Sequence, residues 1–247
     1  MRPPALDIQH LFKKFGGLPA IRDVTMRVEI GERRLILGQN GAGKTTLFNH
    51  IAGDIAPTSG SIRLFGRDIT HMPASHRAHL GIARTYQVVT LFQKDTLEHN
   101  VLLAQLGLSR RRFDMFRPLS SMPQIREKAR QALGRVALDH LAGRKVSDLS
   151  YGEKRRLEIA LALVQGPRLL LLDEPMAGLS TEERTTICNL IAAIPRSTTL
   201  VMIEHDMDSA LSLVDKVTLL HFGQVLVDGD REKVVADPQT REVYLGL

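Results

Sequence analysis

The sequence predicts an α/β fold with three parts: a parallel-sheet core, an antiparallel β subdomain and an inserted α-helical subdomain. Two short apolar runs lie at residues 35–37 and 169–172, and the second of them suits a strand that is buried on both faces of a parallel sheet. Residues 6–37 mostly alternate apolar and polar side chains, which predicts antiparallel strands. Helical patterns dominate from residue 88 to about residue 164, so this segment is predicted to form the helical insertion.

The 247 residues suffice for one large domain with a sizeable core. We expect residues 1–87 and 165–247 to form the core with its β subdomain, and residues 88–164 to form the helical subdomain. Hydrophobic residues make up 43% and charged residues 24% of the chain, which excludes a disordered or fibrous class. No apolar run approaches the roughly 20 residues of a membrane span. The single cysteine, Cys188, fits a reducing compartment.

The net charge of +6 is compatible with a nucleic-acid partner, an anionic membrane surface or a nucleotide site with a basic face. The densest basic cluster is Arg110-Arg111-Arg112 with Arg117 nearby, and residues 109–124 around it are predicted to form a loop. A solvated loop accounts for this cluster without a nucleic-acid partner. Aromatic residues make up only 4% of the chain, which argues against a stacking platform for single-stranded nucleic acid.

A glycine-rich stretch follows the first apolar run and precedes a helical pattern at residues 46–52. It reads Gly38-Gln39-Asn40-Gly41-Ala42-Gly43-Lys44-Thr45-Thr46, which has the spacing G-x-x-x-x-G-K-T of a phosphate-binding loop. Glycines allow successive backbone N–H groups to converge on phosphate oxygens, and the helix N-terminus adds partial positive charge. Lys44 can reach the β- and γ-phosphates, and the Thr45 hydroxyl is suited to ligate Mg²⁺. The alternative is a glycine-rich turn before an ordinary helix.

Paired carboxylates, Asp173 and Glu174, follow the second apolar run. A buried parallel strand would deliver both of them to its carboxyl edge. This pattern matches the second motif of phosphate-loop nucleotide hydrolases, in which an aspartate holds Mg²⁺ through water. Glu174 is expected to point to the other side, where it could act as general base on the attacking water. The alternative is a helix-capping Asp-Glu pair.

The stretch Leu149-Ser150-Tyr151-Gly152-Glu153-Lys154-Arg155-Arg156 resembles the signature of ATP-binding cassette (ABC) ATPases, usually written L-S-G-G-Q. Ser150 and the Gly152 N–H precede a helical pattern at residues 153–164, and they could cap a γ-phosphate through hydroxyl, amide and helix dipole. Taken alone, Ser-x-Gly-Glu before a helix is simply a good N-cap. Together with the two preceding motifs, the resemblance implies a P-loop NTPase core of the ABC ATPase type, with ATP and Mg²⁺ as cofactors.

The resemblance to ABC ATPases extends over nearly the whole chain and implies roles for further residues. Phe15 takes the place of the aromatic side chain that stacks on adenine. Gln87 corresponds to the glutamine that contacts Mg²⁺ and the attacking water, and His205 to the switch histidine that contacts the γ-phosphate. Considered singly, each has a plainer explanation: Phe15 in the core, Gln87 solvated and His205 hydrogen-bonded in a loop. Their joint order along the chain favours the roles in catalysis and binding.

Three residues depart from the family's pattern. Tyr151 replaces a glycine of the signature, and Glu153 replaces its glutamine. Ser180, in the loop at residues 177–180 after the second motif, stands where many members carry aspartate. The change at Ser180 affects the usual carboxylate contact across a dimer, but not nucleotide binding.

In that family the signature of one subunit faces the phosphate-binding loop of another. The resemblance therefore implies that Ser150 and Gly152 serve the ATP of a partner, which is either a second copy or a related chain. Transport would require two membrane-spanning permease subunits, which would dock beside Gln87 and the helical insertion, and an extracytoplasmic substrate-binding protein. The chain is then expected at the cytoplasmic face of the inner membrane, as a peripheral subunit, and no nucleic-acid partner is expected.

Several further stretches carry a finer resemblance. They are Phe15-Gly16-Gly17-Leu18, Arg84-Thr85-Tyr86-Gln87, Leu149-Ser150-Tyr151-Gly152-Glu153, Glu174-Pro175-Met176-Ala177-Gly178-Leu179, Tyr244-Leu245-Gly246 and the insertion between Gly107 and Gln131. These stretches are similar to the ATPase subunits of branched-chain amino acid importers, which implies uptake of branched-chain or other hydrophobic amino acids. The alternatives are a soluble ABC ATPase that acts on ribosomes or nucleic acid, the ATPase of a lipid or lipopolysaccharide exporter, and a phosphate-loop kinase of small molecules. A kinase would leave the signature unexplained.

Overall fold

The computed structural model describes residues 3–87, 91–109, 123–205 and 207–245. Three features of the sequence analysis lie outside these residues: the arginine cluster at residues 110–112 and 117, Gly246 of the tail, and most of the loop predicted at residues 109–124.

The strands of the described residues form two sheets. The strands are β1 (Leu6–Phe15), β2 (Leu18–Val28), β3 (Arg33–Leu37), β4 (Ser59–Leu64), β5 (Arg67–Asp68), β6 (Ile82–Arg84), β7 (Leu169–Asp173), β8 (Thr199–Ile203), β9 (Lys216–His221) and β10 (Gln224–Asp230). One sheet is antiparallel, with the order β2-β1-β4-β5. The other has the order β10-β9-β3-β8-β7-β6 and is parallel except for the β9–β10 hairpin. The predicted α/β class with an antiparallel β subdomain is confirmed.

The prediction of antiparallel strands over residues 6–37 holds for β1 and β2 but is wrong for β3. β3 pairs in parallel with β8 and β9, so that Leu35 lies opposite both Met202 and Val217. Every residue of β3 is buried, whereas β1 and β2 include exposed positions. A strand covered on both faces belongs inside a parallel sheet. The loop after β3 therefore leaves the carboxyl edge near the middle of this sheet.

Helices cover both faces of the larger sheet. The helices are α1 (Lys44–Ala52), α2 (Ala74–His79), α3 (Leu97–Gly107), α4 (Pro123–Arg135), α5 (Tyr151–Val164), α6 (Thr181–Ala192), α7 (Met207–Leu211), α8 (Arg231–Ala236) and α9 (Pro238–Thr240). α4 begins at Pro123, so the loop predicted at residues 109–124 is wrong for residues 123 and 124. Proline suits the first position of a helix, because the N–H that it lacks would have no hydrogen-bond partner within the helix there. Among the described residues, no helix has the length and apolarity to span a membrane.

Within the part of the chain that the structure describes, three hydrophobic clusters hold these layers together. The first packs the antiparallel sheet and α1 on one face of the larger sheet, and the second packs α5 and α6 on the other face. The third lies among α3, α4 and α5. α5 contributes Ile159 and Ala162 to the second cluster, and Leu157 and Ala160 to the third. This helix therefore joins the helical layer to the sheet, while the predicted subdomain boundaries at residues 88 and 164 stay a prediction.

His50 is a fully buried histidine on α1. Its Nδ1–H donates to Ile55 O at 3.1 Å, and its Nε2 is buried without a hydrogen-bond partner. Burial lowers the pKa of His50 to about 4, so the folded protein excludes a proton that the unfolded chain binds below about pH 6.5. The stability that the neutral ring contributes is complete above that pH and is lost as the pH falls towards 4. Linkage sets this loss at roughly 2 kcal/mol at pH 5.

We expect His50→Asn to reduce the pH dependence of stability, because an amide keeps a donor for Ile55 O and does not titrate. Urea unfolding at pH 7 and pH 5 measures this effect. Between pH 7 and pH 5, the free energy of unfolding of the unchanged chain should fall by roughly 2 kcal/mol more than that of the variant. His140→Asn replaces an exposed histidine and serves as the matched control, whose pH dependence should follow the unchanged chain. Equal losses for His50→Asn and the unchanged chain would contradict the assignment.

Candidate functional site

Residues 38–43 connect β3 to α1 in a loop whose shape requires glycine at two positions. A Cβ atom at Gly38 would collide with Leu220 O, and one at Gly43 would lie 2.8 Å from Ala20 O. Gly43 also has a φ of 102°, in the left-handed region that favours glycine. The loop is therefore pressed between β9 and β2, and α1 begins directly after it at Lys44.

A cavity of about 260 Å³ opens over this loop. It is lined by Ala20, Asn40, Gly41, Ala42, Gly43, Lys44, Thr45, Thr46, Gln87 and Glu174. Most of the predicted phosphate-binding loop thus shares one space with Gln87 and Glu174. The N-terminus of α1 borders this space and favours an anion there.

Lys44 lies in this cavity with 6% of its surface exposed. Its Nζ donates to Gly38 O at 2.6 Å and to Gln39 O at 3.1 Å. Burial lowers the pKa of Lys44, while the carboxylates of Glu174 and Asp173 act in the opposite direction. The loop's own carbonyls therefore hold the ammonium group beside the space that phosphates would fill.

Glu174 follows β7 with a φ of 47°, a left-handed conformation that is strained for a residue with a side chain. Its Oε2 accepts a hydrogen bond from Gln87 Nε2 at 3.0 Å, and its Oε1 lies 2.7 Å from His205 Nε2. An ionised Glu174 carboxylate would accept both hydrogen bonds, the second one from the tautomer of His205 that carries its proton on Nε2. Three residues that the sequence analysis assigned to one reaction are thus joined by hydrogen bonds at the cavity.

Asp173 is 2% exposed at the end of β7, and its two carboxylate oxygens differ in their surroundings. Oδ2 accepts from Arg84 Nη2 at 2.8 Å, whereas Oδ1 is buried without a partner. A buried carboxylate oxygen is costly unless a ligand supplies its partner. Asp173 Oδ1 therefore fits a group that contacts Mg²⁺, with the Thr45 hydroxyl and the Gln87 amide available at the cavity as further oxygen ligands.

Ser150 and Gly152 do not line this cavity. They line a second cavity, of about 320 Å³, with Glu153, Arg156, Glu182, Glu183 and Thr186. Ser150 Oγ accepts from Glu153 N at 3.2 Å, and Glu153 Oε2 accepts from Ser150 N at 2.8 Å. This capping box at the start of α5 shows that Ser150 is the N-cap of that helix. Gly152 and the N-terminus of α5 border the second cavity.

The three departures from the family's pattern have local structural roles. Glu153 completes the capping box described above. Ser180 and Glu183 form a second capping box at the start of α6, through bonds of 3.3 Å and 3.0 Å. The ring of Tyr151 packs against Gly178, since a Cβ at Gly178 would lie 3.4 Å from Tyr151 Cε1. Tyr151 therefore connects the signature to the loop at residues 177–180.

Two predicted nucleotide contacts, Phe15 and Gln39, are not among the residues that line the cavity over the phosphate-binding loop. Phe15 ends β1 with 50% of its surface exposed, so it is not the core residue that was its plainer explanation. Lys13 Nζ lies 5.1 Å from the centroid of its ring. The Gln39 side chain donates a hydrogen bond to Val243 O at 2.5 Å. Val243 lies in the π-helical turn Arg241–Leu245 after α9, so the Gln39 side chain points to this C-terminal turn.

Sequence reasoning assigned no role to two buried charged residues beside this site. Glu204, 2% exposed, accepts from Met176 N at 2.7 Å and from His205 N at 3.2 Å, and burial raises the pKa of Glu204 to about 7. Arg155, 1% exposed, bonds backbone carbonyls beside β7. Its spacing to Ile159 and Ala162 places it on the sheet-facing side of α5, which was the available sequence signal.

Comparisons with known proteins agree over the whole chain. A family model described as ABC transporter matches residues 21–177. The high-affinity branched-chain amino acid transport ATP-binding proteins LivG of Salmonella typhimurium and BraF of Pseudomonas aeruginosa are 37% and 38% identical, over 100% of this chain and 99% of each relative. The lipopolysaccharide export system ATP-binding protein LptB of Acidithiobacillus ferridurans is 37% identical, over 98% of this chain and 96% of that protein. The ADP conformation of MJ1267, an ATP-binding cassette of an ABC transporter, superposes with a TM-score of 0.88 at 30% identity and full coverage of both chains.

Proposed function

Because this chain belongs to the ABC transporter family of ATP-binding cassettes, whose members are ATPases coupled to transport, we propose that it is the ATP-hydrolysing subunit of an amino acid importer. The observation that carries hydrolysis is the hydrogen-bonded group of Glu174, Gln87 and His205 beside the phosphate-binding loop. The full-length similarity to LivG and BraF supports branched-chain or other hydrophobic amino acids as the cargo.

In the proposed reaction Glu174 is the general base that takes a proton from the attacking water. Gln87 and His205 hold its carboxylate from two sides, which limits the directions in which it can point. Lys44 and the backbone N–H groups of residues 38–46 bind the β- and γ-phosphates, and Phe15 stacks on the adenine ring.

Asp173, Thr45 and Gln87 would hold Mg²⁺. The unpartnered Oδ1 of Asp173 is the observation that fits this ion. Bound Mg²⁺ would neutralise charge on the β- and γ-phosphate oxygens. Arg84 binds the other oxygen of Asp173 and so keeps this carboxylate in one orientation.

Ser150 and Gly152 serve the ATP of a partner subunit in this proposal. Their separation from the cavity over the phosphate-binding loop supports it, because a signature that acts in the same chain would need to lie beside that loop. The partner is a second copy or a related cassette, and two ATP molecules lie between the two subunits. Two membrane-spanning permease subunits and an extracytoplasmic substrate-binding protein complete the system, with this chain at the cytoplasmic face of the membrane.

The second candidate is the ATPase of a lipopolysaccharide exporter. The similarity to LptB, which is nearly as high and covers nearly the whole chain, favours it. Both candidates use the same nucleotide chemistry, so only the membrane partners distinguish them.

Purification of the tagged chain from gently solubilised native membranes, with mass spectrometry of its companions, tests the proposal. We expect two permease proteins and a second cassette ATPase. The associated substrate-binding protein would then be titrated with leucine, isoleucine and valine. Recovery of lipopolysaccharide-export components would favour the second candidate, and recovery of ribosomal proteins without a membrane partner would contradict both.

The proposed role of the signature predicts that Ser150→Asp blocks ATP-dependent association. Aspartate caps a helix about as well as serine, so α5 should keep its stability, while its carboxylate would repel the partner's γ-phosphate. Thr96 caps α3 in the same way, through a bond from His99 N at 3.1 Å, so Thr96→Asp is the matched control. Size-exclusion chromatography with ATP, in a hydrolysis-deficient background, measures association. Normal association of the Ser150→Asp variant would count against the role of Ser150.

A further inference from the structure

Arg155 connects the signature helix α5 to the carboxyl edge of the larger sheet. Only 1% of its surface is exposed, and all three nitrogens of its guanidinium donate hydrogen bonds. The acceptors are Pro175 O for Nε at 3.3 Å, Tyr86 O and Glu158 Oε2 for Nη1 at 2.8 Å each, and Asp173 O and Glu174 O for Nη2 at 3.3 Å and 2.6 Å. Arg155 therefore binds backbone on two segments outside its own helix.

Three of these acceptors are the consecutive carbonyls of residues 173–175, which surround the strained residue Glu174. A residue with a side chain keeps a φ of 47° only where its surroundings hold it. A planar guanidinium presents its donors in a fixed fork, so it can hold adjacent carbonyls in one arrangement, whereas a lysine ammonium is a compact point charge. Arg155 therefore holds the turn from which the Glu174 carboxylate projects.

The fourth carbonyl belongs to Tyr86, directly before Gln87, whose Nε2 donates to Glu174 Oε2 at 3.0 Å. Glu158, 7% exposed on the next turn of α5, balances the charge of the buried guanidinium. One cation thus joins the signature helix, the end of β7 and the segment that carries Gln87.

We infer that Arg155 is a positioning residue, which fixes the direction of the Glu174 carboxylate and couples the nucleotide site of this chain to the signature that it offers to its partner. The inference rests on the proposed function for the role of Glu174. The link that Arg155 makes between the three segments rests on its hydrogen bonds and does not depend on the proposed function. An arginine that served only stability would affect folding and leave the chemical step unchanged.

Arg155→Lys keeps the charge beside Glu158 but cannot bind the row of carbonyls. We expect kcat for ATP hydrolysis to fall about 100-fold, as for other misplaced catalytic groups. The KM for ATP and the Kd of a fluorescent ADP analogue should stay within about threefold, because the loop around Lys44 is untouched. Arg155→Gln, with a neutral and shorter side chain, should show the same separation of kcat from KM.

Arg33→Lys is the matched control. Arg33 is 6% exposed and donates to Ala192 O at 3.1 Å and Ile194 O at 2.6 Å, at the amino end of β3 and away from the nucleotide site. This variant should lose comparable thermal stability but keep its kcat. A folded Arg155→Lys protein with kcat within about threefold of the unchanged chain, or with no larger loss than Arg33→Lys, would overturn the inference.

Hydrogen exchange of the unmodified chain gives a second test that does not depend on the folding of a variant. We expect binding of Mg-ADP to change exchange at residues 151–158, at the start of α5, as well as at the phosphate-binding loop. Exchange that changes at the loop alone would overturn the coupling. A chain that shows the change at α5 but hydrolyses no ATP together with its partner subunits would instead contradict the proposed function.

Discussion

Lys44→Ala is expected to abolish ATP hydrolysis and to weaken ATP binding by about 10- to 100-fold, the usual loss for a charged hydrogen-bond donor. Lys44 is buried at the N-terminus of α1, and its Nζ is held beside the cavity by Gly38 O and Gln39 O. Phosphate oxygens would offer the ammonium group negatively charged acceptors, which bind it more strongly than these carbonyls do. The Lys44→Ala protein has no ammonium group that could move from these carbonyls to the phosphate oxygens. Steady-state hydrolysis and titration with a fluorescent ATP analogue measure both effects.

Lys44→Met separates the charge from packing, because methionine keeps an apolar stem of similar length and removes the ammonium group. It should lose hydrolysis as Lys44→Ala does, with a smaller loss of thermal stability. Lys216→Ala, which truncates a partly buried lysine at the amino end of β9, is the control and should keep its turnover. Unchanged turnover in the Lys44→Ala protein would refute the assignment of the phosphate-binding loop.

Glu174→Gln is expected to lower kcat by about 10²- to 10⁴-fold while ATP binding persists, so that the protein accumulates as an ATP-bound dimer. The amide has nearly the shape of the carboxylate and can still accept a hydrogen bond from either Gln87 or His205. It cannot take a proton from water. Binding would then continue without the hydrolysis that opens the dimer.

Size-exclusion chromatography with and without ATP, together with steady-state hydrolysis, tests this expectation. Glu98→Gln is the matched control, because Glu98 is another partly buried carboxylate, paired with Arg126 and Arg130 in the helical layer. The control should hydrolyse ATP normally and show no ATP-dependent accumulation of dimer. If Glu174→Gln stayed monomeric with ATP, either its role as base or the two-subunit arrangement would be wrong.

Much of the candidate nucleotide site was predictable, because its motifs are local in the chain. The spacing within residues 38–46 describes a turn that only glycine permits at Gly38 and Gly43, followed at once by a helix start. The apolar run of β7 likewise identifies a buried strand that ends in Asp173 and Glu174. The apolar periodicity of α5 also predicted which face of this helix is buried, but it did not predict the hydrogen-bond partners of Arg155 on that face.

The pairing of β3 was less accessible to sequence reasoning. The alternation of apolar and polar residues over positions 6–37 suggested an antiparallel strand, whereas the structure buries β3 completely between β8 and β9 in the parallel sheet. The capping box at the start of α5 illustrates the same limit at the signature, where Ser150 fitted both a helix cap and a phosphate contact. The structure shows the cap, and the phosphate contact stays a prediction.

By itself the sequence determined the α/β class, the glycine-dependent turn before α1 and the acidic pair at the end of β7, because each depends on residue types at short spacing. Only the tertiary structure decided that Gln87 and Glu174, which are 87 positions apart, share a hydrogen bond, and that Arg155 holds the backbone around Glu174. It also decided that Asp173 has one oxygen on Arg84 and one without a partner. These contacts arise where separate strands and α5 meet at one edge of the sheet, and no local spacing encodes which side chains that packing brings within hydrogen-bonding distance.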